Sequence, residues 1–129
     1  MRFFLDNNMS PKFAPMLGAL GEDVRHISSV EGLTRDAPDD IWIPAVASKE
    51  WIAVGGDSKI LSRPHELECV RDHGLIYFIF DRAFMSTKLW DQAIQVLKAW
   101  PNIRALASGA KAGTCFHVKV PTGKVELYR

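Results

Sequence analysis

The feature that most constrains this chain is an apolar run cut short by an acid. Arg2-Phe3-Phe4-Leu5 meets Asp6, and Asn7 and Asn8 follow. A run of this length suits a short buried strand, and the strand sets its terminal carboxylate at a sheet edge, where a ligand reaches it. Trp51-Ile52-Ala53-Val54-Gly55-Gly56-Asp57 has the same form. Ala37-Pro38-Asp39-Asp40-Ile41-Trp42 places a pair of acids beside an apolar stretch. The question for the rest of the chain is whether these acids meet.

The order of elements allows it. After the first strand, Ser10 and Pro11 suit the start of a helix. Phe13, Met16, Leu17 and Leu20 supply its apolar stripe, and Gly21 stops it. Asp23 to Ile27 reads as a second strand, and Ser28 to Pro38 as an exposed loop. A second helix opens at Asp39 or Asp40, either of which suits the N-cap, with Ile41, Trp42, Ala45 and Val46 as its apolar face. Trp51 to Val54 is the third strand, and Gly55 to Lys59 a tight turn. Arg63 to His73 is a helix with Pro64 in its first turn and Gly74 as its stop. Leu75 to Phe80 is the strongest strand. Ser86 to Trp100 reads as a helix buried along Leu89, Ala93, Leu97 and Trp100 and ended by Pro101. Residues 103–112 fit no single element. Cys115 to Val120 and Lys124 to Tyr128 flank Pro121-Thr122-Gly123 as a hairpin. Strand and helix alternate, so the expected class is α/β: a three-layer α/β/α domain with a mostly parallel central sheet and a C-terminal β-hairpin. Asp6 and Asp57 then sit just past the carboxyl ends of strands, where such sheets hold their ligands.

The chain has 129 residues, which fits one domain, 1–129, with a real core. Its formal net charge of +1 gives no global field toward nucleic acid, so such binding must use local patches. Cys69 and Cys115 have no CxxC spacing, and no secretory segment precedes them. They read as reduced thiols of a cytoplasmic protein. No stretch approaches the roughly 20 apolar residues of a membrane span, so no membrane partner is expected.

Two carboxylates about 4 Å apart repel by about 4 kcal/mol at an effective dielectric near 20. Protonation or a bound cation relieves this. Oxygen-only ligands favour Mg²⁺ or Mn²⁺, and the common use of such a cation is hydrolysis at a phosphate. Each acid also has a plainer reading. An aspartate after a strand forms turns, and one before a helix caps it.

The ordered set of stretches resembles the PIN-like domains, in particular the small branch related to VapC-type toxin ribonucleases. The resemblance is carried by Leu5-Asp6-Asn7-Asn8-Met9-Ser10-Pro11, by Gly21-Glu22-Asp23-Val24-Arg25-His26, and by Pro38-Asp39-Asp40-Ile41-Trp42. The apolar strand that ends at Asp57, and then Asp57 to Leu67 with Pro64-His65-Glu66, complete it. It implies a divalent-metal-dependent endoribonuclease, with RNA as substrate and a cognate antitoxin protein as partner. A homodimer is a further implication. Asp6, Asp39 (or the adjacent Asp40) and Asp57 match the catalytic acids, and Asp6, Asp39 and Asp57 are the implied metal ligands for Mg²⁺ or Mn²⁺.

Two positions depart from the family pattern. Asn7 stands where many relatives have an acid, and Lys59 where many have another. Asn7 can orient water or a ligand. Lys59, with Arg63, can bind phosphate, and Arg71, Arg82 and Lys12 extend the candidate RNA-facing edge. The same departures support a second reading, a catalytically degenerate PIN-like fold that binds RNA or protein. A receiver-like phosphoacceptor domain is a third, weakened because Asn7 and Asn8 do not supply its acidic pair. His26, His65, His73 and His117 lack metal-ligand spacing and read as surface residues of strands or helices. Trp42, Trp51, Trp90 and Trp100 read as packing residues.

Overall fold

The computed structural model describes residues 1–56, 59 and 62–128. The expected third acid, Asp57, lies outside them. The described elements, in chain order, are β1 (Arg2–Leu5), α1 (Phe13–Ala19), β2 (Asp23–His26), α2 (Asp39–Ser48), β3 (Ile52–Gly55), α3 (Pro64–His73), β4 (Tyr77–Phe80), α4 (Arg82–Met85), α5 (Leu89–Ala107), β5 (Cys115–Val118) and β6 (Val125–Leu127). The six strands form one sheet in the order β2-β1-β3-β4-β5-β6. β1 to β5 run parallel, and β6 returns antiparallel to β5. This is the expected mixed α/β architecture with its terminal hairpin.

Alternation along the strands makes two cores. Phe3, Leu5, Val54, Phe78, Phe80 and Phe116 face α1 and α5, where Phe13, Leu17, Val96, Trp100 and Ile103 pack on them. Phe4, Ala53, Tyr77 and Ile79 face the other way, onto Trp42, Ile43 and Val46 of α2 and Val70 of α3. The central strands are therefore covered on both faces, which is why they read as unbroken apolar runs.

Three expected helix boundaries or faces are corrected. Helix α1 starts at Phe13, after a turn in which Ser10 Oγ accepts the Lys12 N–H at 3.2 Å. Leu20 falls past its end and is exposed. In α2 the N-cap is Pro38, so Asp39 and Asp40 occupy the first turn itself, and Ile41 is exposed while Ile43 is buried. The last long helix begins at Leu89, because Asp81 caps the separate turn of α4, accepting from the Phe84 N–H at 3.4 Å.

Helix α5 also runs through Pro101 to Ala107, buried along Val96, Ala99, Trp100, Ile103 and Ala107, while Leu89 and Leu97 are exposed. A proline inside a helix costs about 3 kcal/mol. Burying Ile103 offsets about 1.5–3 kcal/mol of this. Glu22 adds a clamp across the proline: its carboxylate accepts from Trp100 Nε1 and from an Arg104 guanidinium N–H, both at 2.8 Å.

Topology locates the ligand edge. From β1 the chain goes to β2 on one side, then returns to β3 on the other. Ligands of open parallel sheets bind beyond the carboxyl ends of the strands at this reversal. Asp6 follows β1 there, and Gly55 and Gly56 end β3 beside it.

Candidate active site

Asp6 is held from two sides. One carboxylate oxygen, Oδ1, accepts the Asn8 backbone N–H at 2.9 Å, closing a turn of the kind aspartate forms with its own chain. The other, Oδ2, accepts the phenol O–H of Tyr77 at 2.7 Å. Asp6 is only 4% exposed, and Tyr77 is buried. The backbone N–H of Asp6 also donates to Val54 O at 3.1 Å. A buried carboxylate with these donors is fixed in direction.

Gly55 makes this arrangement possible. A β-carbon at Gly55 would overlap Asp6 Oδ2 and meet the Tyr77 hydroxyl. At Gly56 it would meet Met85 Sδ and Asn8. The two glycines, expected as a tight turn, thus serve the close approach of the acid loop to the end of β3.

Asp39 faces the same pocket as Asp6. Its Oδ1 accepts from the Trp42 indole Nε1 at 2.8 Å, one turn further along α2. Trp42 stacks on Phe4 and meets the edge of Tyr77 at 5.4 Å between centroids. The line Asp39–Trp42–Tyr77–Asp6 therefore connects the two acids through packed aromatic rings. The pocket is about 190 Å³ and is lined by Asp6, Asn7, Asn8, Arg35, Asp36, Asp39 and Trp42 among others. Asp40 is exposed, in the first turn of α2, and is not part of that lining. Asp36, on the preceding loop, was not singled out by sequence. Asn7 Oδ1 accepts from Arg35 Nε at 3.1 Å, so this amide oriented toward the loop is engaged by a cation of the chain itself.

A second cleft, about 440 Å³, adjoins through Asn8. It is lined by Asn8, Gly56, Lys59, Arg63, Arg82, Met85 and Ser86. Three of the cations expected at an RNA-facing edge thus share one surface. Arg63 also pairs with Glu66 at 3.3 Å. Lys12 and Arg71 do not line the cleft; the Arg71 backbone lies close against Gly113.

His26, expected at a surface, is instead buried. Its Nε2 donates to Met9 O at 2.8 Å, while Nδ1 accepts from the Ser28 N–H at 3.1 Å and lies 2.7 Å from Ser28 Oγ. The acceptor role at Nδ1 requires the neutral ring. Burial, followed by the charge of Arg35, pushes its pKa below the ordinary 6.5, although the Met9 and Asp6 backbones act the other way. Since the native ring takes a proton less readily than the unfolded one, the unfolded chain binds more protons below about pH 6.5, and stability falls with falling pH in that window. His26→Gln should flatten this slope in urea melts taken between about pH 7.5 and about pH 5.5. An unchanged slope would contradict the role of His26.

Neither cysteine lines the pocket or the cleft. Burial pushes Cys115 up to about 11 and raises Cys69 too, with the charges of Asp40 and Asp39 adding to the latter. Neither is a ready nucleophile at neutral pH.

The donors at the pocket are oxygens, as a hard divalent cation requires. Among the described residues no three His, Cys, Asp or Glu side chains stand close enough to hold a metal together. Asp6 and Asp39 supply two carboxylates on one pocket, and Asp57, outside the described residues, comes next after Gly56 in the sequence. Also among the described residues, no helix is long and apolar enough to cross a membrane.

Neither the curated proteins nor the solved structures compared with the chain give a match. A family model described as PIN like domain matches residues 1–82, the stretch that contains β1 through β4 and the three acids of the pocket, Asp6, Asp36 and Asp39. The match covers more than half of the 129 residues, so the chain belongs to the family of PIN-like domains, a fold of general nuclease type.

Proposed function

We propose that this protein is a divalent-metal-dependent endoribonuclease, the toxin of a toxin–antitoxin pair in the VapC-related manner, with Mg²⁺ or Mn²⁺ as cofactor. The observation that carries the reading is the pairing of two surfaces: Asp6 and Asp39 on one pocket, and Lys59, Arg63 and Arg82 on the cleft that adjoins it through Asn8. Acids alone would repel a phosphodiester, and cations alone would only bind it.

Asp6, Asp39 and Asp57 would hold the cation, with Asp40 nearby on α2. When bound, it polarises water and offsets charge at the scissile phosphate. The residues do the rest. Asp6 keeps its direction through Tyr77 and Asn8, so its oxygens need no reorganisation. Asp39 is oriented by Trp42. Asn7 sits beside Asp6 to orient water or ligand. Lys59, Arg63 and Arg82 hold the flanking backbone of the strand through phosphate contacts, which position RNA without reading its sequence.

The test is cleavage of a fluorogenic single-stranded RNA with Mn²⁺ and with excess EDTA. The reading expects cleavage that stops in EDTA and resumes when Mn²⁺ is restored. Undiminished cleavage in EDTA, or none with metal, would overturn it. A second reading is favoured by the Arg35–Asn7 hydrogen bond, which engages the Asn7 oxygen with a cation of the chain itself: a degenerate module that binds RNA or protein. It expects RNA binding indifferent to EDTA and no cleavage.

A further inference from the structure

Arg35 lies in the loop before α2, at the centre of a turn closed by the Ala37 N–H on Thr34 O at 3.1 Å. Its Nε donates to Asn7 Oδ1 at 3.1 Å, across 28 residues of chain. It lines the pocket that Asp6, Asp36 and Asp39 also line. Yet among the described residues its guanidinium makes no ion pair with any carboxylate and no second hydrogen bond.

This is an unusual use of an arginine. A surface arginine beside three acids ordinarily pairs with one of them. Here a neutral amide holds it instead. A guanidinium has five N–H donors in a planar fork. One is spent on Asn7, and four remain with the full charge undiminished. Such a fork matches two oxygens of a phosphate. An aspartate at position 7 would fix Arg35 equally well, but would neutralise it. Asparagine fixes its direction and leaves its charge for a ligand.

We propose that Arg35 binds a phosphate of single-stranded RNA at the acid pocket, and that Asn7 is its positioning residue. This rests on the nuclease reading above and deepens it by naming the group that receives the anion among the acids. It also says how Asn7 orients the ligand: through Arg35.

The probe is a short fluorescein-labelled single-stranded RNA, mixed with the full-length protein and Mn²⁺, with anisotropy read by stopped flow before cleavage. Arg35→Ala should weaken binding by about tenfold, as expected for a hydrogen-bonded charge. It should also reduce the slope of log affinity against log salt by about 0.7, the share of one phosphate on a single strand. Arg35→Lys should restore the slope but not the whole affinity, because a point charge lacks the fork. Asn7→Asp should weaken binding in the wild-type background and have little effect in the Arg35→Ala background, since the two act through one contact. Mn²⁺ affinity gives an independent readout: removing a nearby cation should leave it unchanged or tighten it, so a loss of RNA binding would not be a loss of metal. If the wild type binds RNA and Arg35→Ala binds with the same affinity and slope, the inference fails alone. If the wild type does not bind RNA at all, the nuclease reading and the inference fail together.

Discussion

Asparagine in place of Asp6 should lower RNA cleavage by at least about 100-fold, the upper end of what loss of a residue that merely orients a ligand costs, and should leave the fold intact. The amide is nearly the shape of the carboxylate. Its oxygen can stay on the Asn8 N–H that Oδ1 accepts in the native protein. Its nitrogen would then face Tyr77, whose hydroxyl can rotate from donor to acceptor. What is lost is the negative charge and one acceptor oxygen at the pocket. Cleavage rates should be read beside circular dichroism and a thermal melt. Cleavage at the wild-type rate would remove Asp6 from the chemistry. A collapsed melt would show that its role is structural.

The second large effect is expected at Gly55. A methyl group there has nowhere to go, because Asp6 Oδ2 and the Tyr77 hydroxyl occupy its place. Gly55 pairs with Ile79 of β4, and its strand lies between β1 and β4 in the sheet interior. The acid must therefore swing off its donors. Overpacking costs about 1–3 kcal/mol and a buried hydrogen bond to a charge about 1.5–3 kcal/mol. Gly55→Ala should thus destabilise the protein by about 3 kcal/mol or more, roughly 10 °C in Tm for a chain of this size, and should disturb the site as well. Gly18 is the control. It lies in α1, and an added methyl group meets nothing within 4 Å. Gly18→Ala should be neutral or stabilising by about 0.5–1 kcal/mol. Equal melting temperatures for the Gly55→Ala variant and the wild type would contradict the packing described at Asp6.

The layered sheet was legible because its central strands are buried on both faces. Phe3 to Leu5, Ile52 to Val54 and Tyr77 to Phe80 carry that burial as apolar runs. Helix faces were less legible where a local rule met a tertiary one. Pro101 looks like a helix stop, yet Ile103, Ala107 and the Glu22 clamp carry α5 past it. Once the helix is taken to end at Trp100, its buried face is misread onto Leu89 and Leu97. His26 was misplaced for a similar reason: its partners, Met9 O and Ser28, come from the loops around it and leave no periodic signal.

At the site, Asp6 and Asp39 were readable as acids tied to element ends, and both line one pocket. The groups that orient them were not. Tyr77 reaches Asp6 across 71 residues, and only its single hydroxyl within Leu75 to Phe80 hinted at a polar duty. Trp42 read as packing alone, although its indole N–H holds Asp39. Arg35 sits in a loop without periodicity, and nothing in its neighbours marks it. Such convergence is made by the return of parallel strands to one edge, which a linear pattern does not display.

The central claim is that the carboxylates at this edge share a cation. It is tested most directly by isothermal titration of Mn²⁺ into the wild type and into Asp6→Asn, each with a non-hydrolysable single-stranded RNA present. The account predicts a saturable site in the wild type that is lost, or at least tenfold weaker, in the variant. Equal binding by both proteins, or no binding by either, would contradict it.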